Sequence, residues 1–218
     1  MKKSPIYIAI ADDHAIFRKG VITQLQPYKH LQFILEATEG QELIEQLSSA
    51  QQLPDICILD ISMKPMNGYE TANAIRDKWP KMKTIALTML DDEYCIINML
   101  RNGARGYITK GQDTATLLKA IEQVYTHGFY HDDIDGEILS KALQGDSVYP
   151  QLTDREHEFL YYCCSDLSYR EIGDKMNAST RTVEGYRDSL CKKFNAKTRT
   201  GLVSFALFTG LVTDRVLA

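Results

Sequence analysis

The side chains best suited to chemistry in this sequence stand directly after short apolar runs in its first half. Three carboxylates among them supply the hard oxygen ligands that Mg²⁺ prefers, and a carboxylate can also attack phosphorus to form an acyl phosphate. A hydroxyl and an ammonium can bind the oxygens of a transferring phosphoryl group. The set therefore predicts a magnesium-dependent phosphoryl site, if the fold brings its members together. They are Asp12, Asp13, Asp60, Thr88 and Lys110.

Apolar runs alternate with amphipathic stretches over residues 6–127, which is the pattern of βαβ units. Five strands and five helices predict a doubly wound, flavodoxin-like α/β fold with a parallel sheet. The carboxyl ends of parallel strands share one edge, where ligands bind. Asp12 and Asp13 alone fit equally well as acids facing a helix dipole, but the residues that end three other strands favour the site. The strands are predicted at 6–11, 33–37, 55–60, 84–88 and 104–109, and the helices at 14–26, 40–49, 67–79, 91–102 and 113–127.

The second half of the sequence differs in structure and charge. Every periodic stretch beyond residue 150 is helical, with helices predicted at 154–164, 168–176, 179–194 and 199–209. Residues 151–218 carry ten Lys and Arg against nine Asp and Glu, whereas the rest of the chain carries 15 against 20. We therefore predict an α/β domain at 1–128, a linker at 129–150 with a short helix at 134–143, and an all-α domain at 151–218.

The all-α part has the plan of a helix-turn-helix. A short helix opened by Ser168 is followed by a tight turn and a longer helix, which in this motif enters the major groove of DNA. Six cations lie between Arg181 and Arg199 against Glu184 and Asp188, and they would make DNA affinity depend on salt. A solvated helix face is the alternative interpretation of this charge run.

Composition excludes several classes of protein. The chain has 218 residues and 44% hydrophobic content, yet no run approaches the roughly 18 apolar residues of a membrane span. The N-terminus lacks the apolar segment of a signal peptide. Five cysteines without metal-ligand spacing argue against a disulfide scaffold. We therefore expect a cytoplasmic protein with reduced cysteines and no membrane partner.

Residues 6–127 resemble the receiver domain of two-component response regulators, because the five residues named first match that family's acidic pair, phosphoacceptor, hydroxyl and lysine in order and spacing. The resemblance implies that Asp60 is phosphorylated by a sensor histidine kinase. It also implies that Mg²⁺ is bound directly by Asp13 and Asp60, mainly through water by Asp12, and by the backbone carbonyl of Ser62.

The resemblance also implies a conformational switch. Thr88 would move toward the phosphoryl group and Tyr107 would rotate inward behind it, although a strand tyrosine that simply packs the core remains an alternative. One departure is that the family often has Met-Pro where this chain has Met63-Lys64-Pro65. We expect a reshaped loop there, with the chemistry retained.

Residues 151–213 resemble the LuxR-type helix-turn-helix of the NarL/FixJ response regulators, through the Leu-Thr-x-Arg-Glu opening at 152–156 and the Arg-Thr-Val-Glu sequence at 181–184. Glu184 would accept a hydrogen bond from cytosine N4 or pair with a nearby arginine, and we favour the pairing. The final helix would pair two DNA-binding domains in a homodimer. The DNA-binding residues that the resemblance implies are Arg181, Thr182, Val183, Tyr186, Arg187, Lys192 and Lys193.

Three functions are compatible with these sequence features. The leading hypothesis is a transcription regulator switched by phosphorylation, with a sensor histidine kinase and double-stranded DNA as partners and Mg²⁺ as cofactor. The alternative is a regulatory module that binds partner proteins and does not bind DNA productively, which the weak net charge of residues 151–218 would suit. A phosphatase ranks last, because Ser62 stands where such an enzyme needs its general acid. We do not expect the protein to be an enzyme.

Overall fold

The computed structural model divides the chain into two compact units, residues 1–146 and 147–218, and each is described by itself. Most of the predicted linker beyond residue 130, including half of the predicted helix at 134–143, lies outside the described residues. Among the described residues no helix has the length and apolarity to cross a membrane. All five cysteines are free. The structure describes residues 4–130, 134, 136, 138–139, 142, 152–194, 196–208 and 211–212, without the side chains of residues 207 and 208.

The first unit is a five-stranded parallel sheet with strand order β2-β1-β3-β4-β5, and helices connect successive strands. This is the predicted flavodoxin-like fold, which is confirmed. The strands are β1 Ile6–Ala11, β2 Leu31–Ala37, β3 Ile56–Leu59, β4 Lys83–Thr88 and β5 Ala104–Thr109. The helices are α1 Ala15–Leu25, α2 Gly40–Ser49, α3 Gly68–Lys78, α4 Glu93–Arg101 and α5 Thr114–His127.

The sheet separates two apolar cores, because successive strand residues point to opposite faces. In β3, Ile56 and Ile58 pack with the apolar sides of α1 and α5. Cys57 and Leu59 pack on the other face, with α2, α3 and α4. All four side chains are buried, so β3 is the centre of the sheet and its carboxyl end is fixed in place from both sides.

The second unit consists of four described helices around one apolar core. Phe159, Ile172, Val183 and Leu190 are fully buried in that core. Capping boxes begin two of these helices, at Thr153 with Glu156 and at Ser168 with Glu171. The helices are α6 Asp154–Cys163, α7 Tyr169–Met176, α8 Thr180–Lys193 and α9 Arg199–Phe208.

The turn between α7 and α8 is the tight turn of a helix-turn-helix. Asn177 ends α7 in the left-handed conformation, with φ of 48°. A Cβ atom on Gly173 would lie 2.6 Å from the carbonyl oxygen of Ala178, so only glycine lets the turn pack this closely. Ser179 then accepts a hydrogen bond from the backbone N–H of Thr182 at 3.1 Å and caps α8.

Candidate functional site

The predicted acidic residues and the lysine meet at the carboxyl edge of the sheet. Backbone pairing continues to this edge, since the N–H of Asp60 donates to the carbonyl of Ala11 at 2.9 Å. Nζ of Lys110 lies 2.8 Å from Oδ2 of Asp12 and 2.9 Å from Oδ2 of Asp60. All three side chains are buried, whereas Asp13 is exposed. The ammonium of Lys110 therefore compensates two buried carboxylates that would otherwise repel each other.

Backbone hydrogen bonds orient the two buried carboxylates. Oδ1 of Asp60 accepts from the N–H of Ile61 at 2.8 Å, and Oδ1 of Asp12 accepts from the N–H of His14 at 2.8 Å. In each case the second oxygen is the one that faces Lys110. The guanidinium of Arg18 donates to the backbone carbonyl of Asp12, which fixes the loop that carries the acidic pair.

The acidic edge can hold a divalent cation. Ligand atoms of Asp12, Asp13, His14 and Asp60 all lie within 4.8 Å of one another, and their carboxylate oxygens are the donors that Mg²⁺ prefers. His14 was not among the predicted site residues; its position directly after the acidic pair is the only sequence signal that could have identified it. Its Nδ1 lies 2.7 Å from Oδ1 of Asp13. Ser62 is half-buried in the loop that follows Asp60, and its predicted ligand role stays a prediction.

The loop after Asp60 is packed tightly against the strand end. The N–H groups of Met63 and Gly68 both donate to the carbonyl of Ile61 at 3.0 Å. A Cβ atom on Gly68 would lie 2.3 Å from the carbonyl oxygen of Asp60, so this position requires glycine. Lys64–Pro65 is a cis peptide bond, within the loop that the shifted proline was expected to reshape.

Thr88 and Tyr107 meet at one backbone residue, Leu90. The Tyr107 hydroxyl donates to the carbonyl of Leu90 at 2.9 Å, and Oγ1 of Thr88 accepts from the N–H of Leu90 at 3.4 Å. Tyr107 points inward and is buried, which raises the pKa of its phenol well above the ordinary value. The loop after β4 is thus attached to both residues that were predicted to form the switch.

Helix α8 presents its predicted DNA-binding residues in different environments. Arg181, Thr182 and Lys192 are exposed, and Tyr186 is half-buried. Arg187 donates from Nε and Nη2 to Oδ1 of Asp188, at 2.9 and 2.7 Å. Its guanidinium also lies over the Tyr169 ring, 5.6 Å from the centroid. An exposed ion pair of this kind is weak, so Arg187 can exchange Asp188 for a phosphate.

Two predicted DNA contacts need correction. Val183 is fully buried in the core of the second unit, so it anchors α8 and cannot reach DNA. Nζ of Lys193 lies 2.7 Å from Oε2 of the buried Glu156, so its charge is held inside the unit. The expected pairing of Glu184 with an arginine is also wrong: Glu184 is exposed, and no hydrogen bond or ion pair joins it to another described residue.

Two family models match the chain. The response regulator receiver domain matches residues 8–122, and the luxR family of bacterial regulatory proteins matches residues 150–206. The chain is also similar to the oxygen regulatory protein NreC of Staphylococcus aureus strain JH9. The two are 32% identical over 210 residues, which cover 92% of this chain and 96% of the relative.

Solved structures of response regulators share the fold. RcsB of Salmonella enterica serovar Typhimurium, bound to the promoter P1flhDC with beryllofluoride, has a TM-score of 0.72 at 23% identity and covers 94% of this chain and 99% of its own. The response regulator ChrA of a heme-sensing two-component system has a TM-score of 0.53 at 23% identity, with coverages of 96% and 100%.

The acidic edge of a flavodoxin-like sheet, followed by a helix-turn-helix unit, defines a response regulator. The chain belongs to the response regulators that carry a LuxR-type DNA-binding domain, and it acts on DNA as a two-component regulator of transcription. The predicted family, and the predicted role as a response regulator that acts on DNA, are thereby confirmed.

Proposed function

We propose that a sensor histidine kinase phosphorylates Asp60, and that this modification drives homodimerisation and the binding of double-stranded DNA. The observation that carries the proposal is the position of Lys110, held between Asp12 and Asp60 at 2.8 and 2.9 Å. A cation at that distance from the phosphoacceptor is placed to bind a phosphoryl oxygen as soon as one arrives.

The two oxygens of Asp60 would have different roles. Oδ1 accepts a hydrogen bond from the N–H of Ile61, and Oδ2, which faces the Lys110 ammonium, would be the oxygen that attacks phosphorus. Attack forms the Asp60 O–P bond and breaks the bond between phosphorus and the kinase imidazole, which leaves with the electron pair. Asp13, Asp60 and the carbonyl of Ser62 would hold Mg²⁺ directly and Asp12 mainly through water, and the ion would supply positive charge to the equatorial oxygens.

The switch would act through the loop after β4. A phosphoryl oxygen on Asp60 would accept a hydrogen bond from the Thr88 hydroxyl, and Thr88 is bonded to the same residue, Leu90, as Tyr107. A shift of Thr88 would therefore move Leu90 and α4, whose first residue is Glu93. Phosphorylation would shift the population of the receiver toward a conformation whose surface dimerises.

DNA binding would use the exposed face of α8. Arg181 and Lys192 would bind phosphates, together with Arg187 once it leaves Asp188, and Thr182 and Tyr186 complete the surface. For the whole chain we propose a receiver domain at 1–128, a linker at 129–150 and a LuxR-type domain at 151–218. The proposal assigns the protein to the cytoplasm, with no catalytic turnover beyond loss of its own phosphoryl group.

Phosphorylation at Asp60 is tested by treating the protein with acetyl phosphate and Mg²⁺ and measuring its intact mass. We expect the wild type to gain one phosphoryl group and Asp60→Asn to gain none. Asp55→Asn is the matched control, because Asp55 stands before the other end of β3 and accepts from the N–H of Tyr7 at 2.9 Å. A phosphoryl group on Asp60→Asn would refute the assignment.

A further inference from the structure

The exposed face of α8 carries a stripe of four residues with a glycine near its middle. Arg181, Gly185, Asp188 and Lys192 are spaced i, i+4, i+7 and i+11, so they share one side of the helix, and all four are exposed. The stripe thus presents a cation at each end and the smallest residue between them.

No contact inside the described part of the unit explains Gly185. A Cβ atom there would meet no described atom within 4 Å, and the backbone has no positive φ. Gly173 differs, since its Cβ would strike the carbonyl of Ala178. Glycine in a helix interior is less favourable than any residue except proline, and packing among the described residues gives no reason for it at position 185.

Open space alone would not point to a ligand, because Gly20 in α1 is equally open. What distinguishes Gly185 is its place in the cationic stripe. Arg181 and Lys192 are about 16 Å apart along the helix axis at 1.5 Å per residue, and the major groove is about 12 Å wide. The two cations can therefore reach phosphates on opposite walls of the groove while Gly185 faces its floor.

The acids beside Gly185 also need a close approach. Glu184 and Asp188 have short side chains, and a carboxylate can accept a hydrogen bond from the N4 amino group of cytosine. Such short groups reach base edges only if the helix backbone lies deep in the groove. A side chain at position 185 would hold the backbone away and leave these carboxylates near phosphates, where they repel.

We propose that Gly185 is the point at which the backbone of α8 comes closest to the base pairs, so that it determines sequence specificity. This inference rests on the proposed DNA binding by α8. It assigns Gly185 a role by steric fit and none in binding phosphate. Substitution should therefore lower specific affinity without changing the dependence of binding on salt.

The test uses the full-length protein with Mg²⁺ and beryllofluoride, and a duplex that the wild type selects from a randomised library. We expect Gly185→Ala to lower affinity for that duplex about tenfold and Gly185→Val to lower it further. Affinity for unselected duplex and the salt slope should stay unchanged. The melting temperature should hold or rise, because alanine favours the helix. Gly20→Ala, in an equally open helix position of the receiver, is the matched control and should bind like the wild type.

Wild-type affinity of Gly185→Ala for the selected duplex would overturn this inference alone. A lower melting temperature for Gly185→Ala would also overturn it, because the open surroundings of the glycine would then be wrong. A wild-type protein that selects no duplex would overturn both this inference and the proposed DNA binding.

Discussion

The ammonium of Lys193 lies 2.7 Å from the carboxylate of Glu156, which is 37 residues earlier in the chain. Glu156 also accepts hydrogen bonds from the hydroxyl of Ser189 at 2.7 Å and the N–H of Thr153 at 2.8 Å. One carboxylate therefore closes the capping box of α6 and holds the last turns of α8. This ion pair thus adds to the apolar core in fixing α8 to its unit.

The Glu156 ion pair predicts how the stability of the second unit depends on pH. Burial opposes ionisation, but the hydrogen bonds from Lys193, Thr153 and Ser189 prevail and lower the pKa of Glu156 to about 2. The ionised group therefore stabilises the fold above about pH 4.5, and that stabilisation is lost as the pH falls toward 2.

Glu156→Gln measures that contribution. We expect it to lower the free energy of unfolding at neutral pH by on the order of 3 kcal/mol. The difference from wild type should shrink on acidification, in urea unfolding followed by circular dichroism. Glu158→Gln, a more exposed acid on the same helix, serves as control. A difference that stays constant with pH would contradict the role of the ionised carboxylate.

Lys192 and Lys193 are adjacent lysines with opposite expected roles. Lys192 is exposed, whereas Lys193 pairs with buried Glu156. Lys192→Ala should leave stability unchanged and reduce the log–log salt slope of DNA binding by about 0.9. Lys193→Ala should lower stability by roughly 2 kcal/mol or more, because Glu156 loses its cation. Equal effects of the two substitutions on the salt slope would refute this division.

The substitution Lys110→Ala should destabilise the protein, because Asp12 and Asp60 would then repel each other. Without the ammonium these buried carboxylates have no cation, and we expect the free energy of unfolding to fall by roughly 3 to 5 kcal/mol without Mg²⁺. Added Mg²⁺ should stabilise this variant more than the wild type, since it would replace the missing charge. Thermal melting with and without Mg²⁺ checks this, with the exposed Lys29 changed to Ala as control. Equal stabilisation by Mg²⁺ would mean that lysine and metal do not share these carboxylates.

Tyr107→Phe isolates the hydroxyl that joins β5 to the loop after β4. It leaves the carbonyl of Leu90 without its donor and should cost about 1 kcal/mol of stability. Phosphorylation of Asp60 should persist, while dimerisation of the phosphorylated protein should weaken. Intact mass and light scattering on the same sample separate the two effects. Tyr7→Phe, in β1 on the other side of the central strand β3, is the control. An unchanged dimer response would remove the Tyr107 hydroxyl from the switch.

Much of the receiver could be predicted from the sequence, because its functional residues follow directly after its strands. Apolar runs located all five strands, and the residue after each run located Asp12, Asp60 and Lys110. Strand bounds differed by two residues at most: β2 begins at Leu31 where the sequence predicted 33. The contacts of Lys110 with both carboxylates were beyond prediction, since they depend on how strands distant in sequence pair.

The roles of side chains on α8 were harder to predict, because the helices that pack against α8 determine which of its residues are buried. Val183 was predicted to contact DNA, yet it lies in the core, and Lys193 is paired with a residue 37 positions away. Both belong to a run that has the composition of a DNA-binding helix. The helical period indicates which residues of α8 share a face. The packing of α6 against α8 determines which of its cations remain exposed and can bind DNA.

The switch is tested most directly by the molar mass of the full-length protein in solution, measured by light scattering with Mg²⁺, before and after beryllofluoride. We expect a change from the mass of a monomer to twice that value in the wild type, and no change in Asp60→Asn. A wild-type protein that binds beryllofluoride at Asp60 and keeps the mass of a monomer would contradict the proposed switch.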